Sequence, residues 1–205
     1  MNSSELLFRG GQLARDIKAI AEYPIWLING KPSPDNHLYK KQRIRNISEK
    51  YKCNTFIETG TFYGQMVRYA ADYFEKVVSI EIHEPFYLEN NNFFKEKDNV
   101  NILLGDSSIR LADAITMSEG KILFWLDGHY SGTGTGVGNK ISPIIEELRI
   151  IANFNPNNHC IIIDDRRLFS EEGGYPTIDE VIIELKDINA DYKISYDFDS
   201  ILALI

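Results

Sequence analysis

Two unbroken apolar runs, Ile122-Leu-Phe-Trp-Leu126 and Cys160-Ile-Ile-Ile163, each ending abruptly on aspartate, constrain this chain more than any other feature. Neither run alternates apolar with polar residues, so each predicts a short strand covered on both faces, as in the middle of a parallel sheet. Further β-rich runs lie upstream at Thr55 to Glu58, Lys76 to Ile82 and Val100 to Leu104, and helix-like sequence follows each. The helices are one-sided. Met66, Val67, Ala70, Ala71 and Phe74 share a face, as do Ile141, Ile144, Ile145, Leu148 and Ile151, and again Ile178, Val181, Ile182, Leu185 and Ile188. Such helices must cover a sheet, and repeated strand-helix units with right-handed crossovers predict a doubly wound α/β domain. In the last stretch, YKISYDFDSILALI, two β-rich runs flank Asp197 to Asp199 too closely for a helical crossover. They predict an antiparallel C-terminal hairpin on a mostly parallel sheet.

Residues 1–53 behave differently, with an amphipathic helix suggested by Leu6, Leu13, Ile17 and Ile20, prolines at 24, 32 and 34, and a second helix from His37 to Tyr51. They predict a helical cap belonging to the same domain as residues 54–205, since no repeat or second core is visible. At 205 residues and 43% hydrophobic content the chain suffices for one core, and no apolar run nears the ~20 residues that span a bilayer, so membrane insertion is not expected. Glu5, Arg9, Arg15 and Asp16 interrupt the first residues where a secretory signal would be apolar, which predicts a cytoplasmic protein. Thirty acidic against 22 basic residues give a net charge of -8, which opposes a nucleic-acid partner. Six of those 22 basic residues gather between Lys40 and Lys52, either as a solvated helix face or as a surface for an anionic group on a substrate. Cys53 and Cys160 stand at the entrances of apolar runs without a paired spacing, and are expected to be buried thiols rather than a disulfide or zinc site.

In a doubly wound sheet, ligands bind beyond the carboxyl ends of the strands where the strand order reverses. The first strand leaves through Glu58-Thr-Gly60-Thr-Phe-Tyr63-Gly64, whose glycines let the backbone turn sharply and approach a ligand. Glu81 follows twenty-one residues after Gly60, where an acidic side chain can accept both hydroxyls of a ribose. Asp106 and Ser107 follow the third strand, as an acceptor for an adenine amino group and a helix N-cap. The G-x-G-x-x-G string of nicotinamide enzymes is missing, and the run Gly132 to Lys140 satisfies neither that pattern nor the P-loop; it reads as a mobile loop.

The Glu58-x-Gly60-x-x-x-Gly64 arrangement resembles motif I of the class I S-adenosylmethionine-dependent methyltransferases, over roughly residues 54 to 205. The strings FIETGTFYGQMV, LDGHYSG and IIIDDRRLF are similar to small macrocin-type O-methyltransferases that modify glycans and antibiotic sugars. The resemblance implies a Rossmann-like, seven-stranded sheet, and S-adenosylmethionine held at Glu58, Gly60, Tyr63, Gly64, Glu81, Asp106, Ser107 and Asp127. It also implies a magnesium ion on Asp127, Asp164 and Asp165, although His129 stands where that group usually has an acidic residue.

The chemistry of the strand exits can be read independently. Trp125-Leu-Asp127-Gly-His129-Tyr130 and Ile163-Asp164-Asp165-Arg166-Arg167 put three carboxylates and an imidazole beyond neighbouring strands. Like charges in one pocket need a compensating cation, which is either a hard divalent ion such as Mg2+ or the adjacent Arg166 or Arg167. Removal of a proton from an acceptor hydroxyl falls to Asp127 or His129, with Tyr130, Arg166 and Arg167 on the acceptor side. The expected partner is a small-molecule or glycan-precursor acceptor, with a homo-oligomer also compatible. A nicotinamide-dependent oxidoreductase and a non-catalytic binding domain are the alternative readings.

Overall fold

The computed structural model describes residues 3–128, 142–154, 159–170 and 174–205. Two helices, α1 (Ser3–Ile28) and α2 (His37–Tyr51), precede β1 (Thr55–Thr59), after which strand and helix alternate: α3 (Gln65–Ala70), β2 (Lys76–Glu81), α4 (Glu84–Phe94), β3 (Val100–Leu104), α5 (Ser107–Thr116), β4 (Ile122–Leu126), α6 (Ile144–Asn153), β5 (Cys160–Ile163) and α7 (Ile178–Ile188). The hairpin β6 (Lys193–Asp197) and β7 (Ser200–Leu204) closes the chain. The seven strands run in the order β3-β2-β1-β4-β5-β7-β6, with β7 antiparallel to both β5 and β6 and all other pairs parallel. The predicted doubly wound fold with its antiparallel hairpin is what forms, and the order reverses between β1 and β4.

Successive strand residues point to opposite faces, and the two cores sort accordingly. Ile57, Phe124 and Ile161 face Leu111, Leu148, Val181 and Leu185 of α5, α6 and α7. Phe56, Trp125 and Ile162 face Val67, Phe74 and Phe94 from the α3 and α4 side, together with Ile44 and Ile47 of α2. Cys53 and Cys160 are free and buried in this second core, as expected for thiols packed like small hydrophobes.

The cap is fastened by polar contacts as well as by the apolar packing of Ile44 and Ile47. Asn36 caps α2 through Leu38 N–H (2.9 Å) and also donates to the Ala19 carbonyl of α1 (3.0 Å). Arg43, buried on α2, donates to Asp35 (2.5 Å), to Asp197 (2.6 Å) and to the Ser200 hydroxyl (2.6 Å), tying the cap to the hairpin. In α1 the structure reverses the natural reading of the sequence. Phe8, Gln12, Ala19 and Trp26 are buried, whereas the apolar stripe of Leu13, Ile17 and Ile20 faces outward, each residue about 60% exposed. Among the described residues, no helix is long and apolar enough to cross a membrane.

Candidate active site at the carboxyl edge of the sheet

β1 and β4 part at the strand-order reversal, and their exits are laced together there. The Thr59 hydroxyl accepts the N–H groups of Asp127 (3.2 Å) and Gly128 (3.1 Å). Gly60 has a φ of +88°, and a Cβ on it would lie 2.9 Å from the Asp127 carbonyl oxygen, so the two loops meet this closely only without a side chain. Gly64 serves packing of a different kind: a Cβ there would run into the Asn90 side chain of α4, whose amide donates to the Phe62 carbonyl (2.6 Å).

The acids on the β1-β2-β3 side are satisfied by neutral donors. Glu58 is buried and accepts the Ser79 hydroxyl (2.6 Å). Burial pushes its carboxyl well above the usual range; the serine bond works against this, while Asp127 and Glu81 add to it. Glu81 accepts the N–H groups of Phe62 (2.7 Å) and His83 (2.8 Å), and these partly offset the upward effect of its burial. The residue expected to hold a ribose therefore also shapes the glycine loop, one oxygen on each side, and each oxygen retains a second lone pair. Asp106, not Ser107, is the N-cap of α5, accepting the Ser108 N–H (2.9 Å) and hydroxyl (2.7 Å).

The acids on the β4-β5 side are balanced by cations, one from far away in sequence and one from the following turn. Lys40 of α2 reaches across to pair with Asp164 and lies 3.8 Å from Asp165. Burial opposes its charge, but Asp164, Asp127 and Asp165 outweigh that and hold the ammonium form above its ordinary range. The other Asp164 oxygen accepts the Ser200 hydroxyl (3.1 Å), and Arg167 pairs with Asp165 (2.6 Å) and with Asp199. Asp127, Asp164 and Asp165 share the lining of a small pocket of about 10 Å³, room for about one water. Magnesium, which keeps several waters, does not fit between carboxylates already occupied by Lys40, Ser200 and Arg167, and among the described residues no metal-ligating cluster forms. The described residues do not support the expected magnesium on Asp127, Asp164 and Asp165; they match the other reading the sequence leaves open, compensation by side-chain cations, in which Lys40 joins Arg167. Arg166 donates to the Phe198 carbonyl (3.2 Å) and lies over the Tyr196 ring, so both arginines engage the hairpin or its carboxylates. His129, Tyr130 and the glycine-rich run lie outside the described residues.

Between the cap and these strand exits is a cavity of about 430 Å³. Glu58, Gly60, Tyr63, Trp125 and Asp127 line it from the sheet, and Arg15, Trp26, His37 and Lys40 line it from the cap. Tyr63 stacks on Phe8 of α1, its carbonyl accepts the Gln12 amide (2.5 Å), and Arg15 lies over its ring at 4.3 Å, so α1 roofs the glycine loop. Three groups here were not singled out by the sequence reading. Lys40 sat within a basic stretch, and His37 without company; yet both share the helical face that buries Ile44 and Ile47, a periodicity that marks them as inward-facing. The His37 Nε2 has no partner among the described residues, and burial, with Lys41, Lys40 and Arg15 adding, pushes its pKa down to about 3. Glu147 of α6 is buried with its Oε1 unpartnered beside Gly128, and burial raises its pKa to about 7, with Ser107 and Thr59 partly offsetting the effect.

No family model matches the sequence, and a search of curated proteins gives no match. Solved structures do match. The O-methyltransferase of Bacillus cereus in complex with S-adenosylhomocysteine superimposes with a TM-score of 0.59 at 13% identity, covering 91% of this chain and 90% of that one. The chain has a methyltransferase fold. A putative caffeoyl-CoA O-methyltransferase from Staphylococcus aureus gives a TM-score of 0.55 at 12% identity, with both chains covered completely. An S-adenosylhomocysteine-bound methyltransferase of Podospora anserina gives 0.53 at 14% identity, covering 80% of this chain and 76% of that one.

Proposed function

We propose that the protein is an S-adenosylmethionine-dependent O-methyltransferase acting on a sugar or glycan precursor. One observation carries the reading: the acid-glycine loop of β1 and Asp127 of β4 line a single cavity at the reversal of strand order, within a fold shared with S-adenosylhomocysteine-bound methyltransferases. S-adenosylmethionine supplies a methyl group already activated by its positively charged sulfur. The chain has two tasks: to hold acceptor oxygen and methyl carbon in line, and to take the hydroxyl proton as the new O–CH3 bond forms and the S–CH3 bond breaks, its electron pair passing to sulfur. Glu58, Gly60, Tyr63 and Gly64 form the loop that would seat the amino-acid part. Glu81 would hold the ribose by its remaining lone pairs, and Asp106 with Ser107 would lie toward the adenine.

Asp127 is the proposed base, with His129 as an acceptor-side helper. Lys40 favours the ionised form of Asp127 through its charge, a task that needs no metal. The sugar reading is supported by the chemistry of the walls. Trp26, Trp125 and Tyr63 offer flat apolar faces to a ring, while Arg15, His37 and Asp35 offer hydrogen-bonding groups to its hydroxyls. The test is transfer of labelled methyl from S-adenosylmethionine to a panel of sugars and glycan precursors, with aliphatic and phenolic alcohols as controls. Labelling of the phenols alone would replace the acceptor class. A protein stabilised in a thermal melt by NADH and not by S-adenosylhomocysteine would replace the reaction.

A further inference from the structure

We propose that the cap wall of the cavity binds an anionic oxygen group of the methyl acceptor, a phosphate or a carboxylate, through Arg15, His37 and the start of α2. The inference rests on the methyltransferase reading and deepens it by naming the class of acceptor. The two walls of the cavity differ in charge. Glu58 and Asp127 line it from the sheet, whereas Arg15, Lys18, His37 and Lys40 line it from the cap. Two acids on the cap wall do not cancel these cations: Asp35 is taken up by Arg43 (2.5 Å) and by the Asp199 N–H (3.2 Å), and Glu22 meets Lys18 only at 3.9 Å, with both side chains largely exposed. Asp16 serves two cations, Lys41 (2.9 Å) and Arg68. Arg15 has no carboxylate partner among the described residues; its guanidinium lies 4.3 Å over the Tyr63 ring and 4.9 Å over the Phe62 ring. Positive charge is in excess on this wall of a chain whose net charge is -8.

The helix start adds to that excess. Asp35, Asn36, His37 and Lys40 bring the N-terminal end of α2 to the cavity, and the first turn of this 15-residue helix holds no acidic residue to meet the positive end of its dipole. His37 gives a second, independent sign of a ligand. It lines the cavity, and its buried Nε2 has no partner among the described residues. Burial, then Lys41, Lys40 and Arg15, push its pKa down to about 3, with no carboxylate acting in the other direction. The neutral ring can donate Nε2–H to an anionic oxygen, beside the fork of Arg15. Charge then sorts the two ligands. S-adenosylmethionine, with its positive sulfur, suits the acidic sheet wall; an acceptor anion is repelled there by Asp127 and met by cations on the cap, which leaves a hydroxyl of the same molecule free to face Asp127.

Titration of inorganic phosphate, and separately of acetate, into the full chain saturated with S-adenosylhomocysteine tests this, followed by the His37 ring resonances, which His37→Gln assigns. Saturable shifts are expected in the millimolar range, about 10⁻³ M, as befits one fragment of an acceptor. Arg15→Gln should raise the dissociation constant about tenfold or more while S-adenosylhomocysteine still binds, and Lys193→Gln, which removes a charge from the exposed edge strand β6, should bind as the wild type does. Tighter binding of phosphate assigns a phosphorylated acceptor, and tighter binding of acetate an acceptor with a carboxylate. His37 resonances that neither anion moves, or an equal loss in Arg15→Gln and Lys193→Gln, would overturn the proposal. So would an Arg15→Gln variant that loses affinity for S-adenosylhomocysteine and keeps its response to phosphate, since the cap wall would then hold the carboxylate of the cofactor. The titration repeated without S-adenosylhomocysteine tells the two readings apart: a chain that never binds that ligand removes the methyltransferase reading, and the acceptor assignment with it, whatever phosphate does at His37.

Discussion

The two halves of the carboxyl edge solve the same electrostatic problem in different ways. Beyond β1, β2 and β3, the acids Glu58, Glu81 and Asp106 are met by neutral donors close at hand: the Ser79 hydroxyl, the N–H groups of Phe62 and His83, and the N–H and hydroxyl of Ser108. Beyond β4 and β5, Asp164 and Asp165 are met by full cations, Lys40 from the cap and Arg167 from the following turn. The difference suits the roles proposed for the two halves: acceptors held still by dipoles for the sugar and base of a cofactor, and a cation beside the carboxylate proposed to collect a proton.

The largest expected effect bears on the β4 side. Asp127→Asn should lower single-turnover methyl transfer at saturating cofactor by about 10²- to 10⁴-fold, and a fully active variant would remove the base from this half. Next comes the long-range cation. Lys40→Ala leaves the Asp164 carboxylate buried without its charge partner, which should cost about 3 to 5 kcal/mol in urea unfolding; a loss under 1 kcal/mol would show that Ser200 suffices. On the other half, Glu81→Ala should weaken S-adenosylhomocysteine binding by roughly ten- to a hundredfold, about 1.5 to 3 kcal/mol, with wild-type turnover at saturating cofactor.

A fourth effect is set by pH. Glu147 is protonated more readily folded than unfolded, with a folded pKa of about 7 against 4.5, so the stability it permits is complete below about pH 4.5 and falls as pH rises toward 7. Glu147→Gln should remove that loss, stabilising the protein above pH 7 by about 2 to 3 kcal/mol while leaving it unchanged near pH 4. Equal stability of the two proteins at every pH would count against a buried, neutral Glu147. The smallest effect separates the two halves most cleanly. Turnover in excess EDTA should match turnover without it, because Lys40 and Arg167 already balance the β4-β5 acids; loss of activity restored by Mg2+ would reinstate a metal there.

The same division explains what the sequence disclosed. Strand runs such as Ile122 to Leu126 and the one-sided faces of α6 and α7 are legible because burial is written in their periodicity. The acids of the β1-β2-β3 side are legible too, since Glu58, Glu81 and Asp106 each stand at or just beyond the end of a strand. Lys40 and Asp164 are 124 residues apart, and Arg43 and Asp197 are 154 apart, so no local spacing joins them. Three carboxylates at neighbouring strand exits read equally as a metal site or as a cluster balanced by Arg166 or Arg167, because the other cation that completes them arrives on a helix from the cap. The stripe on α1 is legible only in part for a related reason: periodicity reveals that a face is apolar, but not whether the domain covers it.

Whether the β1 loop and the β4 exit enclose one cofactor is asked most directly by calorimetric titration with S-adenosylhomocysteine. The wild type should bind one equivalent. Gly60→Val, which thrusts a branched side chain toward the Asp127 carbonyl 2.9 Å from the position of its Cβ, should abolish that binding while the circular-dichroism spectrum is retained. No heat of binding to the wild type, or undiminished affinity in Gly60→Val, would contradict that enclosure.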